Sequence, residues 1–158
     1  MDIQIAEGVL KMEENKKKKI KKLIGWVLYI AVLVGLVVGT PRALSYFLDT
    51  PYPMAAITSG SMWPVLKQGD MVLIKGIKGK EDLKIGDVIV YKNPIGFTIH
   101  RITEMKEDTL TTKGDANNVS DSPIRYDEII GKAVSTDHNP LRIPYLGMIS
   151  ILLNKNKL

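Results

Sequence analysis

No cysteine occurs among the 158 residues, which removes disulfide frameworks, thiol catalysis and thiolate metal sites together. Histidine is nearly as scarce. His100 and His138 are too few for a multi-histidine metal site, so neither a metal nor a cofactor is expected. The chain lacks the length of a TIM barrel or a two-domain enzyme and fits one domain. With 45% hydrophobic and 25% charged residues it also lacks the composition of a disordered chain. A net charge of +5 would suit nucleic acid only if it lay on the folded domain. It does not. Residues 1–22 carry seven lysines against four acids, whereas residues 42–158 carry fifteen Lys and Arg against thirteen acids. The excess is the run Lys16-Lys17-Lys18-Lys19-Ile20-Lys21-Lys22, and nucleic acid is not an expected partner.

Directly after that run, nineteen positions from Leu23 to Pro41 carry no charge. About 20 apolar residues cross the hydrocarbon core as a helix, so this segment reads as transmembrane. Trp26 and Tyr29 lie toward its basic end, where amphipathic rings favour the interface. A cleavable signal would have a shorter apolar core and a small-x-small site, and Thr40-Pro41-Arg42 supplies none, so retention as an anchor is expected. The positive-inside rule keeps the lysines cytoplasmic. The expected organisation is a basic cytoplasmic tail (1–22), a transmembrane helix (23–41) and an extracytoplasmic β-rich domain (42–158) in a single-pass protein of the cell membrane.

The remainder reads as mainly β. After an apolar, proline-bearing connection at 42–58 come short β-prone runs at Met71–Ile74, Asp87–Tyr91, Phe97–Met105, Thr109–Lys113 and Ile129–Val134. Lys106-Glu107-Asp108 reads as the turn of a hairpin, and Asn93-Pro94 as another turn. The spacing predicts a sandwich or barrel-like sheet assembly. The apolar stretch after Gly147 is too short to span a bilayer and reads as a short core or membrane-surface helix.

Three loops carry residues capable of chemistry. In Ser59-Gly60-Ser61-Met62-Trp63-Pro64 the glycine permits a tight turn, and burial of Met62 and Trp63 would hold Ser61 still. Ordinarily such a serine is only a turn residue. His100 shares a strand face with Thr98 and Ile102, an apolar setting that disfavours the charged imidazole; most lone strand histidines are structural. Asp115 and Asp121 lie six apart in Gly114-Asp115-Ala116-Asn117-Asn118-Val119-Ser120-Asp121, which lacks the EF-hand pattern and otherwise reads as Asx turns. A serine hydroxyl needs a base, and the base needs an acceptor to fix its tautomer; a serine, a histidine and an aspartate supply both.

These blocks, taken in order, resemble the type I signal peptidases, in the branch found in archaea, the endoplasmic reticulum and some Gram-positive bacteria. They are Ser-Gly-Ser-Met-x-Pro at 59–64, Gly-Asp-Met-Val-Leu-Ile at 69–74, Gly-Asp-Val-Ile-Val-Tyr at 86–91, His100-Arg101, Gly114-Asp115 to Asp121 and Ile143-Pro-Tyr-Leu-Gly. The resemblance implies a largely antiparallel β-sheet catalytic domain behind a membrane helix. It implies Ser61 as nucleophile, His100 as general base, Asp121 as orienting acid and Asp115 as a supporting acid. It also implies an oxyanion hole from the Ser61 N–H and the Ser59 hydroxyl. Ala116 departs from the family's usual Gly-Asp-Asn-Asn, and either aspartate of this loop remains able to reach His100.

The implied activity is a membrane-bound serine endopeptidase that removes signal peptides from exported preproteins. Its partners would be preprotein signal peptides, the lipid bilayer and the protein-export channel. Two other readings stay open. One is a Ser-Lys dyad with Lys75 or Lys92 as base; the other is a membrane-anchored β module that binds without catalysis.

Overall fold

The computed structural model describes residues 2–94, 96–137 and 139–154, so His138 lies outside the described residues. The chain forms two units that divide between Arg42 and Ala43.

Helix α1 (Asp2–Phe47), whose last five residues belong to the second unit, runs beyond the apolar stretch at both ends. Its N-terminal part is rich in Lys, Glu, Met and Ala, which favour helix, and exposed pairs Glu13–Lys16 and Glu14–Lys18 join successive turns. Pro41 sits inside the helix without ending it. The side chains from Leu23 to Val38 are exposed, and the helix is long and apolar enough to cross a membrane.

Among the described residues, the second unit holds ten short strands and a closing helix. They are β1 (Met54–Ala56), β2 (Met71–Lys75), β3 (Val88–Asn93), β4 (Gly96–Met105), β5 (Thr109–Lys113), β6 (Ile124–Arg125), β7 (Ile129–Ala133), β8 (Ser135–Thr136), β9 (Asn139–Pro140), β10 (Arg142–Ile143) and helix α2 (Leu146–Asn154). The main sheet runs β1-β2-β7-β3-β4-β5-β6, with β10 also on β2, and every pair is antiparallel. β8 and β9 form a separate ribbon. The fold is therefore mainly β behind one long apolar helix. Each of the five expected strands is present, with its ends moved by at most two residues. Residues 42–58, expected as an apolar, proline-bearing connection, begin as helix and contain β1.

Sequence explains the centre of this sheet. Val88, Ile89, Val90 and Tyr91 are all buried, because β3 is covered on both faces. Val88 and Val90 join Ile57, Met62, Leu66, Val72 and Ile74 in one core cluster. Ile89 and Tyr91 join Leu83, Ile102, Leu110, Ile124 and Ile129 in the other.

One turn is used twice to launch central strands. Gly69 and Gly86 have φ of 90° and 96°, a conformation open to glycine. The next residue, Asp70 or Asp87, accepts a hydrogen bond from the Lys67 N–H at 2.9 Å or the Lys84 N–H at 3.1 Å. Each buried aspartate is then paired with a distant cation: Asp70 with Arg142 of β10 at 2.8 Å, Asp87 with Lys132 of β7 at 3.2 Å. A buried carboxylate needs such pairing. Gly147, at the start of α2, packs against the Gly69 and Asp70 carbonyls, where a Cβ would collide.

Candidate active site

Ser61 is positioned by the loop that follows β1. Ile57 exchanges backbone hydrogen bonds with Asp70 (2.9 Å) and Gly69 (2.8 Å), which ties the loop to the start of β2. The Trp63 N–H then bonds the Gly60 carbonyl at 3.0 Å and the Leu66 N–H bonds the Met62 carbonyl at 2.9 Å. In a helical turn residues four apart share a face, so Met62 and Leu66 both plug the core, at 1% and 0% exposure. Trp63 is turned off that face and is 59% exposed, which corrects the expectation that it is buried beside Ser61. Of the two flanking side chains, Met62 is the one buried beside the serine. Ser61 is half-buried, and its hydroxyl lies 3.2 Å from the Ser59 hydroxyl.

His100 sits on β4, opposite Ile89, and is 7% exposed. Its Nε2 is 3.1 Å from Ser61 Oγ, and its Nδ1 is 2.6 Å from Asp121 Oδ2. Asp121 lies beyond β5, held by its own N–H to the Thr112 carbonyl at 2.8 Å. The same carboxylate oxygen accepts the Thr112 hydroxyl at 2.6 Å and the Tyr91 hydroxyl at 3.2 Å. Burial, reinforced by the nearby Asp121 charge, holds the Tyr91 phenol above its ordinary range, so it stays a donor.

Asp115 is placed elsewhere. Both its oxygens accept from Arg101, Oδ1 from Nε and Oδ2 from Nη2, each at 2.8 Å. Arg101 also bonds the Gly86 carbonyl at 2.7 Å, so the pair staples the loop to β4 and to the turn before β3. The hydrogen bond to Asp115 raises the guanidinium above its usual value. Ala116 contributes its backbone: its N–H bonds the Ser61 carbonyl at 2.9 Å. A contact made by the main chain tolerates alanine where the family usually has asparagine. Gly114 makes this approach possible, because a Cβ there would meet the Ser61 carbonyl at 2.6 Å.

The structure thus brings Ser59, Ser61, His100 and Asp121 together and sets Asp115 one layer away, on Arg101. Lys75 and Lys92 are exposed and do not line the cavity that Ser61 opens onto. That cavity, of about 510 Å³, is lined by Ile57, Ile74, Val90 and Ile99 together with Ser59, Ser61 and His100. Among the described residues no cluster of acids and histidines has the makings of a metal site. Sequence reasoning passed over Tyr91 and Thr112. The signal available was Thr112 at alternate spacing with Leu110, a hydroxyl on an apolar strand face that must find a partner.

No family model matches the sequence. Curated proteins do. The signal peptidase complex catalytic subunit sec11 of Sclerotinia sclerotiorum is 30% identical over 145 residues, covering 82% of this chain and 80% of that protein. The SEC11 subunit of Colletotrichum graminicola is 32% identical over 132 residues, covering 72% and 71%. That of Tuber melanosporum is 26% identical over 174 residues, covering 96% and 88%.

Proposed function

The chain belongs to the type I signal peptidases, in the branch of the signal peptidase complex catalytic subunits, and from that premise we propose that it cleaves preproteins through Ser61, His100 and Asp121. The observation that carries this chemistry is the continuous path from Ser61 Oγ through His100 Nε2 and Nδ1 to Asp121 Oδ2, at 3.1 and 2.6 Å.

Ser61 Oγ attacks the scissile carbonyl while His100 Nε2 accepts its proton. Asp121 fixes the tautomer that leaves Nε2 free and stabilises the imidazolium that forms. The oxyanion is met by the Ser61 N–H and the Ser59 hydroxyl; losing one such donor typically costs about 10²–10³ in rate. His100 returns the proton to the leaving amine. Water, deprotonated by His100, then attacks the acyl-enzyme, and Ser61 is released with its proton.

The substrate lies extended along β1, which pairs with β2 on one side and ends the sheet on the other. Ala55 and Ala56 line the cavity there, leaving room for small side chains. The apolar part of α1 anchors the enzyme in the membrane that holds its substrate, which raises their effective concentration. The lysine run stays on the cytoplasmic side, and partner subunits and the export channel meet the chain at that membrane. In the Ser-Lys alternative Lys75 or Lys92 would need a dry site near Ser61, and both are exposed.

The test is full-length, detergent-solubilised protein incubated with a preprotein. Wild type should release the signal peptide and Ser61→Ala should not. Cleavage by Ser61→Ala at the wild-type rate would overturn the assignment.

A further inference from the structure

The proposed chemistry uses three side chains, yet the hydrogen-bond path does not end at Asp121. Its Oδ2 collects three donors: His100 Nδ1 at 2.6 Å, Thr112 Oγ1 at 2.6 Å and Tyr91 Oη at 3.2 Å. Thr112 is fully buried and Tyr91 is 5% exposed, and they come from two different strands, β5 and β3. We propose that Thr112 and Tyr91 are positioning residues that hold the Asp121 carboxylate against His100 Nδ1 and set how much of its negative charge the imidazole feels.

A carboxylate in a loop rotates about its own bonds, and a fixed tautomer needs a fixed acceptor. Two hydroxyls anchored in the sheet supply that restraint at the oxygen His100 uses. They also share its charge. Each donor to Oδ2 weakens the field that this oxygen exerts on the imidazolium, so hydroxyl removal leaves more charge for His100. Around the imidazole, the described charged or titratable groups are few. Asp121 bonds it, Tyr91 bonds Asp121 in turn, and Arg101, the next residue on the same strand, is paired with Asp115. Both hydroxyls therefore act on His100 through Asp121 Oδ2.

The inference rests on His100 acting as the base for Ser61, and the experiment separates the two ideas. Full-length wild type, Thr112→Val, Thr112→Ser, Tyr91→Phe and Ser61→Ala are assayed against one preprotein from pH 5 to 9, with melting temperatures recorded in parallel. Thr112→Val should lower kcat about tenfold, the scale of a lost bond to a charged group, and Tyr91→Phe should lower it less because its bond is longer. In both, the acid limb of kcat/KM should move to higher pH. Thr112→Ser, which keeps the hydroxyl, should restore both the rate and the limb. A purely structural role would scale activity equally at every pH and follow the melting temperature. Acid limbs that stay in place, or move to lower pH, overturn the inference even if Ser61→Ala is inactive. An active Ser61→Ala instead overturns the chemistry on which it rests.

Discussion

Two aspartates six residues apart do different work because each meets a different partner. Asp121 touches His100, while Asp115 is spent on a half-buried, two-pronged pair with Arg101. Asp121→Asn should leave the melting temperature nearly unchanged and lower kcat steeply; losing the orienting acid of a Ser-His-Asp triad costs about 10⁴-fold. Asp115→Asn should lower stability by roughly 1–3 kcal/mol, since Arg101 loses its charged partner, with a smaller effect on rate. Turnover and thermal melting of the two variants check both outcomes. Tyr91 adds a pH dependence. Its phenol is raised above 10.0, first by burial, so the folded chain binds that proton more tightly than the unfolded chain. The resulting stability is fully present below about pH 10 and is lost as pH rises through the folded value. Tyr91→Phe should therefore flatten the alkaline fall in stability, measured by denaturant unfolding between pH 9 and 11.

The strands and loops bring those side chains together by close approach of main chains. Gly114 is a point of close approach between the loop after β5 and the Ser61 loop, since a Cβ there would collide with the Ser61 carbonyl and the Asn117 amide. Gly114→Ala should push the two loops apart and lower kcat, while Gly60→Ala, at a position open to solvent, should retain folding. Comparing preprotein cleavage and melting temperature of the two variants separates loop contact from general disturbance. At this scale the sequence was legible wherever a run of four or more β-prone residues had a core to fill, as in β2 through β5 and β7. β1, β6 and β8 to β10 have two or three residues each, too few to show any period. The order Ser61, His100, Asp115 and Asp121 was legible as a set of blocks, but the choice between the aspartates was not. It depends on Arg101 capturing Asp115, and on Thr112 and Tyr91 capturing Asp121, all contacts between separate strands. Tyr91 and Thr112 read as core residues because burial and strand propensity alone account for them.

Across the whole chain, charge and hydropathy are divided unequally. Seven lysines precede an uncharged stretch of nineteen residues, and the part after it carries nearly balanced charge. A helix of this kind enters a bilayer because its backbone is satisfied internally and its side chains are apolar on every face. The lysines resist translocation, so the basic end should remain cytoplasmic while residues 43–158 emerge opposite. This arrangement suits a peptidase whose substrate is held in the same membrane, because confinement to one surface raises the effective concentration of each for the other. The orientation is open to direct test in intact cells stripped of any outer wall. Added protease should digest residues 43–158 and leave an N-terminal fragment containing the lysine run. Moving four of the lysines to follow Pro41 should invert or randomise that pattern and abolish preprotein processing, because the sheet would then be on the wrong side. A protected C-terminal unit beside an accessible N-terminus in the wild type would refute the orientation, and with it the export-side activity.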